Sequence, residues 1–342
     1  MNRQRLQQIT ERYHALRIAV LGDFCLDRYM EIDPSRQETS IETGLSVYNV
    51  AAVRAQPGGA GTVLNNLVAL GVGELIPLGF AGDDGEGFEL RRALQQLPGV
   101  RIDKFLSTPL RRTFTYCKPL LVEPGSPPRE LNRLDSKNWT PTPPDVEQWF
   151  VAALRELAAE IDALVIMDQV DAAETGVATR RVLEAVAQLT AEHPQLRILA
   201  DSRRSLRGYP QVSLKMNRAE LGVLLGGAPP ADLHETLDAA RHLATRHGRD
   251  VFVTLAEAGL LGAAPDGQTA HFDALPIRGP IDIVGAGDSV TANLAAALAA
   301  GASLAESLEL ANAAASVVIH QLGTTGTASV KQIAELLGRD RP

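Results

Sequence analysis

Short, continuous apolar runs alternate with longer amphipathic stretches along this chain of 342 residues, and that rhythm narrows the folds open to it. RIAVLGD (17–23), ELIPLGFAG (74–82), ALVIMD (163–168), RILAD (197–201), VSLKMN (212–217) and VFVTLAEAG (251–259) carry apolar residues at consecutive rather than alternate positions. A strand of that kind must be covered on both faces, which parallel sheets achieve with helical crossovers. Helices are expected between the runs, over 61–71, 84–97, 144–160, 174–193, 231–248, 287–300 and 303–322. The expected fold class is α/β, a mostly parallel central sheet with helices on both faces.

Two regions, about 29–56 and 104–135, break the rhythm. Their segments LSVYNVAAVRA and TFTYCKPLLV are β-branched or aromatic without a helical period, and read as strands of a small β lid over one sheet edge. An apolar face on such a lid would serve as a homodimer contact. No linker or repeat divides the chain, so 1–342 is read as a single domain.

The formal charge of −8, with no Lys/Arg run, argues against nucleic-acid binding but leaves small anionic ligands open. Cys25 and Cys117 have no zinc spacing and read as reduced thiols. The charged start MNRQRLQQITERYHAL lacks the apolar core of a signal peptide, and no uncharged apolar stretch is long enough to span a membrane. Together these point to a cytoplasmic protein.

Several strand candidates end in polar residues: Asp23, Asp168, Asp201 and Asn217. Ligands of parallel sheets bind beyond the carboxyl ends of the strands, although Asp is also a common helix N-cap. The segment IDIVGAGDS (281–289) runs into a glycine turn. It has Val290 where a dinucleotide fingerprint needs a small residue, and it has no P-loop lysine. Residues 285–288 begin a helix, so their N–H groups point outward and, with the helix dipole, favour an anion. Asp288 beside them is either a favourable helix-start charge or a general base that takes a hydroxyl proton during phosphoryl transfer.

Four motifs in order decide between such readings. Gly58-Gly59-Ala60 opens a helix, Asn217-Arg218-Ala219-Glu220 forms an N-x-x-E pattern, Val253-Thr254 leads to Gly259, and Asp282 through Asp288 spells D-x-x-G-A-G-D. With them the sequence resembles the ribokinase-like (PfkB) carbohydrate kinases over nearly its full length. LGDFCLDRYM (21–30), PSR (34–36), LNRLD (131–135), ANAAASVV (311–318) and QLGTTGT (321–327) are most similar to bacterial heptose 7-phosphate kinases, in their free-standing form.

The resemblance implies a ribokinase-like three-layer fold and ATP-dependent phosphorylation of a sugar or sugar phosphate, with Mg²⁺ and a K⁺ site. It implies Asp288 as catalytic base, with Gly285, Ala286 and Gly287 as the anion hole. Asp27, Gly58, Gly59, Thr62 and Arg133 would meet the acceptor, and Asn217, Thr254, Gly259 and Asn312 the nucleotide. Glu220 and Asn217 would arrange Mg²⁺ through water, and Asp282 would sit at the monovalent cation. Thr62 stands where the family has an asparagine, MDQVDAAETG (167–176) lacks an expected lysine, and Phe114 and Tyr116 replace a lysine and an arginine. These changes leave the acceptor open. A non-catalytic sugar- or nucleotide-binding regulator and a nucleoside kinase are the alternatives.

Overall fold

The computed structural model describes residues 1–339. Every apolar run named above supplies a strand to one eight-stranded sheet. Its order is Thr269–Phe272, Leu260–Ala263, Val251–Thr254, Ser213–Asn217, Arg197–Ser202, Ala163–Asp168, Arg17–Gly22 and Glu74–Leu78. Pairing is parallel from Glu74–Leu78 through Val251–Thr254 and antiparallel for the last two strands.

Burial explains why the runs do not alternate. Ile18 and Val20 face a core built with helices Ala60–Ala69, Ala286–Ala299 and Leu304–Val318. Ala19 and Leu21 face a second core under Pro144–Leu157, Arg180–Glu192 and Leu233–His247. Both faces of the same strand are dry, so polar residues, apart from Lys215 in Ser213–Asn217, gather at the strand ends, where ligands reach the sheet.

The structure departs from the sequence reading in places that have physical reasons. The run 251–259 is a strand only to Thr254; it then turns through Gly259 into an edge hairpin, Leu260–Ala263 and Thr269–Phe272. Gly259 has φ +88°, and a Cβ there would collide with the Phe272 carbonyl oxygen. The helix expected from 174 begins at Arg180, because Glu174 is left-handed (φ 61°) and the Val177 N–H is drawn to the Asp23 carboxylate (2.7 Å). Helices Arg3–Thr10, Arg218–Leu225 and Val330–Arg339 were not foreseen; two of them have only eight residues, too short for a clear periodic signal.

A second sheet stands on the carboxyl edge of the first. Strand Phe24–Ile32 follows directly from Arg17–Gly22, pairs antiparallel with Val50–Gly59, and pairs parallel with Phe114–Leu121. Arg129–Glu130 and Leu134–Ser136 add to Phe114–Leu121. Within 104–135, Leu106–Thr108 pairs instead with Phe80–Gly82, outside this sheet. Val50–Gly59 runs straight into helix Ala60–Ala69 across Gly59 (φ 59°), where a Cβ would collide with the Asp23 carbonyl oxygen. Among the described residues, no helix is long and apolar enough to cross a membrane.

The double-sided core sets a stability test. Phe252, fully buried in Val251–Thr254, should cost about 3–5 kcal/mol on replacement by alanine. Phe88, 68% exposed, should cost no more than about 0.5 kcal/mol. Urea unfolding of the two variants checks the difference.

Candidate active site

The glycine turn lies where helix Ala286–Ala299 meets the carboxyl edge of the sheet. Gly285 caps that helix in the left-handed conformation (φ 82°), which glycine adopts without strain. The Ala286 N–H closes the turn onto Ile283 O (3.2 Å), and Gly285 O accepts the Ser289 N–H (2.9 Å). The amides of Gly285, Gly287 and Asp288 meet no acceptor among the described residues. Of the three residues expected to form an anion hole, Ala286 has its N–H engaged, whereas Gly285 and Gly287, with Asp288, keep theirs available to an anion.

Asp288 is half-buried in the first turn of this helix. Protein packed around its carboxyl pushes the pKa up to about 7; the Asp201 carboxylate adds to the rise, Lys215 opposes it, and Asp27 adds a further push. The buried Lys215 ammonium donates to Asp201 Oδ2 (2.7 Å), which also accepts the Thr291 hydroxyl (3.0 Å). Burial alone would lower the lysine pKa, but Asp201 outweighs it and holds Lys215 above its ordinary value. Its Nζ lies 3.2 Å from where a Cβ on Gly287 would stand, so only glycine leaves both the ammonium and the turn undisturbed.

Asp27 approaches from the second sheet. It is buried, accepts a hydrogen bond from Lys118 Nζ (3.0 Å), and leaves no room for a side chain on Gly58, whose Cβ would strike Asp27 Oδ2. Lys118 Nζ also donates to the Tyr29 hydroxyl (3.2 Å). Thr62 is buried in the first turn of Ala60–Ala69 and lines neither of the cavities flanking the turn. Arg133 lies outside the cleft: its guanidinium makes two hydrogen bonds to Asp135 (3.2 and 2.9 Å) and stacks on Tyr116, 4.7 Å from the ring centroid. Tyr116 does line the cleft between the sheets, with Asp23, Cys25, Lys137 and Trp139.

On the other side of the turn opens a cavity of about 740 Å³. It brings together Asn217, Thr254, Gly259 and Asn312 with Ala286 and Gly287. Asn312 Nδ2 donates to Asp273 O (2.8 Å) and so ties helix Leu304–Val318 to the loop that closes the cavity. Asn217 and Glu220 form a capping box: the Asn217 N–H donates to Glu220 Oε2 (2.7 Å) and the Glu220 N–H to Asn217 Oδ1 (2.9 Å). Burial raises the Glu220 pKa. Asp282 accepts the amides of Val284 (3.0 Å) and Gly323 (3.4 Å), which holds the turn to the 319–325 loop. Gln56 Nε2 donates to the Thr325 hydroxyl (2.7 Å), so the second sheet is tied to the same loop.

Sequence reasoning did not single out Lys118, Lys215, Thr291 or Gln56. Lys215 carried a signal: a lysine inside an otherwise apolar strand, two residues before Asn217, must find a carboxylate once that strand is buried on both faces.

Comparison with known proteins identifies the family and the fold. The pfkB family carbohydrate kinase model matches residues 20–331. The bifunctional protein HldE of Trichlorobacter lovleyi is 30% identical over 339 residues, covering 98% of this chain and 65% of that protein, so the chain spans somewhat less than two thirds of its relative. Arabidopsis thaliana ribokinase, solved with ribose and ATP, superposes with a TM-score of 0.65 at 18% identity, covering 94% of this chain and 98% of the other. Escherichia coli phosphofructokinase-2, solved with potassium, gives a TM-score of 0.68 at 20% identity, covering 95% and 99%. These two likenesses are of fold, which is ribokinase-like. The family match, spanning the glycine turn, the strand ends and both cavity walls, means that this chain belongs to the pfkB family of carbohydrate kinases.

Proposed function

We propose that this sugar kinase moves the terminal phosphoryl group of ATP to a sugar-phosphate hydroxyl, with the 1-hydroxyl of a heptose 7-phosphate as the acceptor. One arrangement carries the reading: the Asp288 carboxyl stands in the first turn of its helix beside outward amides, next to Gly287 on the wall of a large cavity, and feels the Asp27 carboxylate of the second sheet. The HldE relative and the ribokinase solved with ribose and ATP supply the classes of acceptor and donor.

In this reading the nucleoside lies among Thr254, Gly259 and Asn312, and its phosphates reach Gly287. Asp27 and the backbone at Gly58 and Gly59 orient the acceptor, with Arg133 free to swing from its exposed partner Asp135 to an acceptor phosphate. Asp288 takes the proton of the attacking hydroxyl, and the amides of Gly285, Gly287 and Asp288 steady the charge on the moving phosphoryl. Among the described residues no group of three or more His, Cys, Asp or Glu could hold a metal, so Mg²⁺ would take its ligands from phosphate oxygens, water and Glu220 beside Asn217. Once bound, Mg²⁺ neutralises phosphate charge. Asp282 with nearby carbonyls would take K⁺, as the potassium complex of phosphofructokinase-2 suggests by analogy. A homodimer through the second sheet belongs to the same proposal, because Val50 and Val53 on strand Val50–Gly59, and Leu45 and Tyr48 in the segment leading into it, are exposed.

Four outcomes are expected. Asp288→Asn should lower kcat by about 10²- to 10⁴-fold in an ATP-dependent assay on heptose 7-phosphates. A variant that retains near-normal turnover refutes the base assignment. Since the base must be ionised, kcat/KM of the unaltered enzyme should fall below pH 7, about tenfold per unit. The same raised pKa means that ionising Asp288 costs the folded state stability as pH rises from the ordinary carboxylate range through about 7, so Asp288→Asn should melt higher than the parent at pH 8. For the dimer, Val53→Glu should convert the species seen by light scattering to a monomer.

A further inference from the structure

The cavity read above as the nucleotide site has one cation among its described lining side chains, and that cation has no partner. Arg218 is the first residue of helix Arg218–Leu225 and lines the cavity together with Thr254 and Gly287. Its Nε is buried without an acceptor, and its guanidinium forms no ion pair among the described residues. The nearby carboxylates are committed elsewhere: Glu220 to the Asn217 amide, and Asp201 to Lys215 and Thr291. Glu257 lines the same cavity without pairing to it.

Such a guanidinium is doubly misplaced in the absence of a ligand. A buried donor without an acceptor is costly, and a positive side chain in the first turn opposes the positive end of its own helix. Both faults disappear if an anion lies in front of it. Lys215 cannot fill this role alone, since it sits under the turn and is held by Asp201. We infer that Arg218 binds the terminal phosphates of the nucleoside triphosphate, its planar fork bridging phosphate oxygens across the cavity from the Gly287 amide. The inference rests on reading this cavity as the nucleotide site and adds to it the residue that distinguishes a triphosphate from a nucleoside.

Calorimetric titration of the parent, Arg218→Gln and Arg218→Lys with Mg-ATP and with adenosine tests it. The Gln variant should bind ATP about 10- to 100-fold more weakly, as expected for loss of a charge-assisted contact, while adenosine affinity stays within about twofold. The Lys variant should recover part of the loss, because it restores the charge but not the fork. In turnover assays KM for ATP should rise more than kcat falls. Equal losses for ATP and adenosine would make Arg218 a structural residue, and unchanged ATP affinity would remove it from the site; either overturns the assignment while leaving the cavity as the nucleotide site. A parent protein that binds neither ligand overturns the cavity reading and the Arg218 assignment together. Should the Gln variant not fold, the ATP/adenosine contrast in the Lys variant, and a salt dependence of parent binding confined to ATP, decide the matter.

Discussion

A single residue between two strands, Asp23, joins the parts on which the site depends. Its N–H donates to Met167 O (3.1 Å), its carbonyl accepts the Ala60 N–H (3.0 Å), and its carboxylate accepts the amides of Gln169 (2.8 Å) and Val177 (2.7 Å). One position thus locks a central strand, the start of helix Ala60–Ala69 and the 169–177 loop to one another. Glycines at 59 and 176 are needed because any Cβ would strike Asp23 itself. Burial, and then the Asp168 carboxylate, push the Asp23 pKa up to about 7, against the pull of its backbone donors. The 167–176 stretch, which lacks the lysine expected from the family resemblance, is in this chain the segment that wraps Asp23.

From that seam the electrostatics of the candidate site follow. Three carboxylates converge from different elements, and two have cations of their own: Asp27 has Lys118 and Asp201 has Lys215. Asp288 has no side-chain donor among the described residues, and it feels both of the others. Burial, with the Asp201 and Asp27 carboxylates adding to it, raises its pKa to about 7, the range in which a carboxylate is both ionised and basic enough to take a hydroxyl proton. The paired carboxylates act as fixed charges that raise the basicity of Asp288, and their cations keep the total charge of the site within reach of an anionic donor.

Much of the fold could be read from the chain because two-sided burial leaves a strong mark. Val20, Val165 and Leu199 sit in runs that no half-exposed strand would carry, and all three lie in one core. The glycine turn was legible for a related reason, since Gly285 and Gly287 answer to backbone conformation and close approach rather than to side-chain chemistry. What could not be read was long-range pairing. Nothing local to Lys215 names Asp201 as its partner, nothing near Gln56 points to Thr325, and the early end of the 251–259 run depends on where Phe272 crosses Gly259. Thr62 shows the converse: it stands where the family resemblance implies a sugar contact, yet it is buried in the first turn of its helix.

In the proposed reading, catalysis and acceptor choice fall to parts of different stiffness. The groups around Asp288 come from helix and strand ends whose side chains are held by buried partners. The groups that would read an acceptor are on the second sheet, where Arg133 pairs with Asp135, Lys137 with Asp171, and Tyr116 lies beneath both cations. Ion pairs this exposed contribute about 0–1 kcal/mol and exchange readily for a ligand phosphate. Substitutions there can change the acceptor without disturbing the Asp201–Lys215 pair or the turn above it. On that reading, this chain can keep the glycine turn, Asp288 and the capping box while Tyr116 departs from the heptose-kinase pattern; Phe114, buried against Phe80, instead joins the core beneath the sheet.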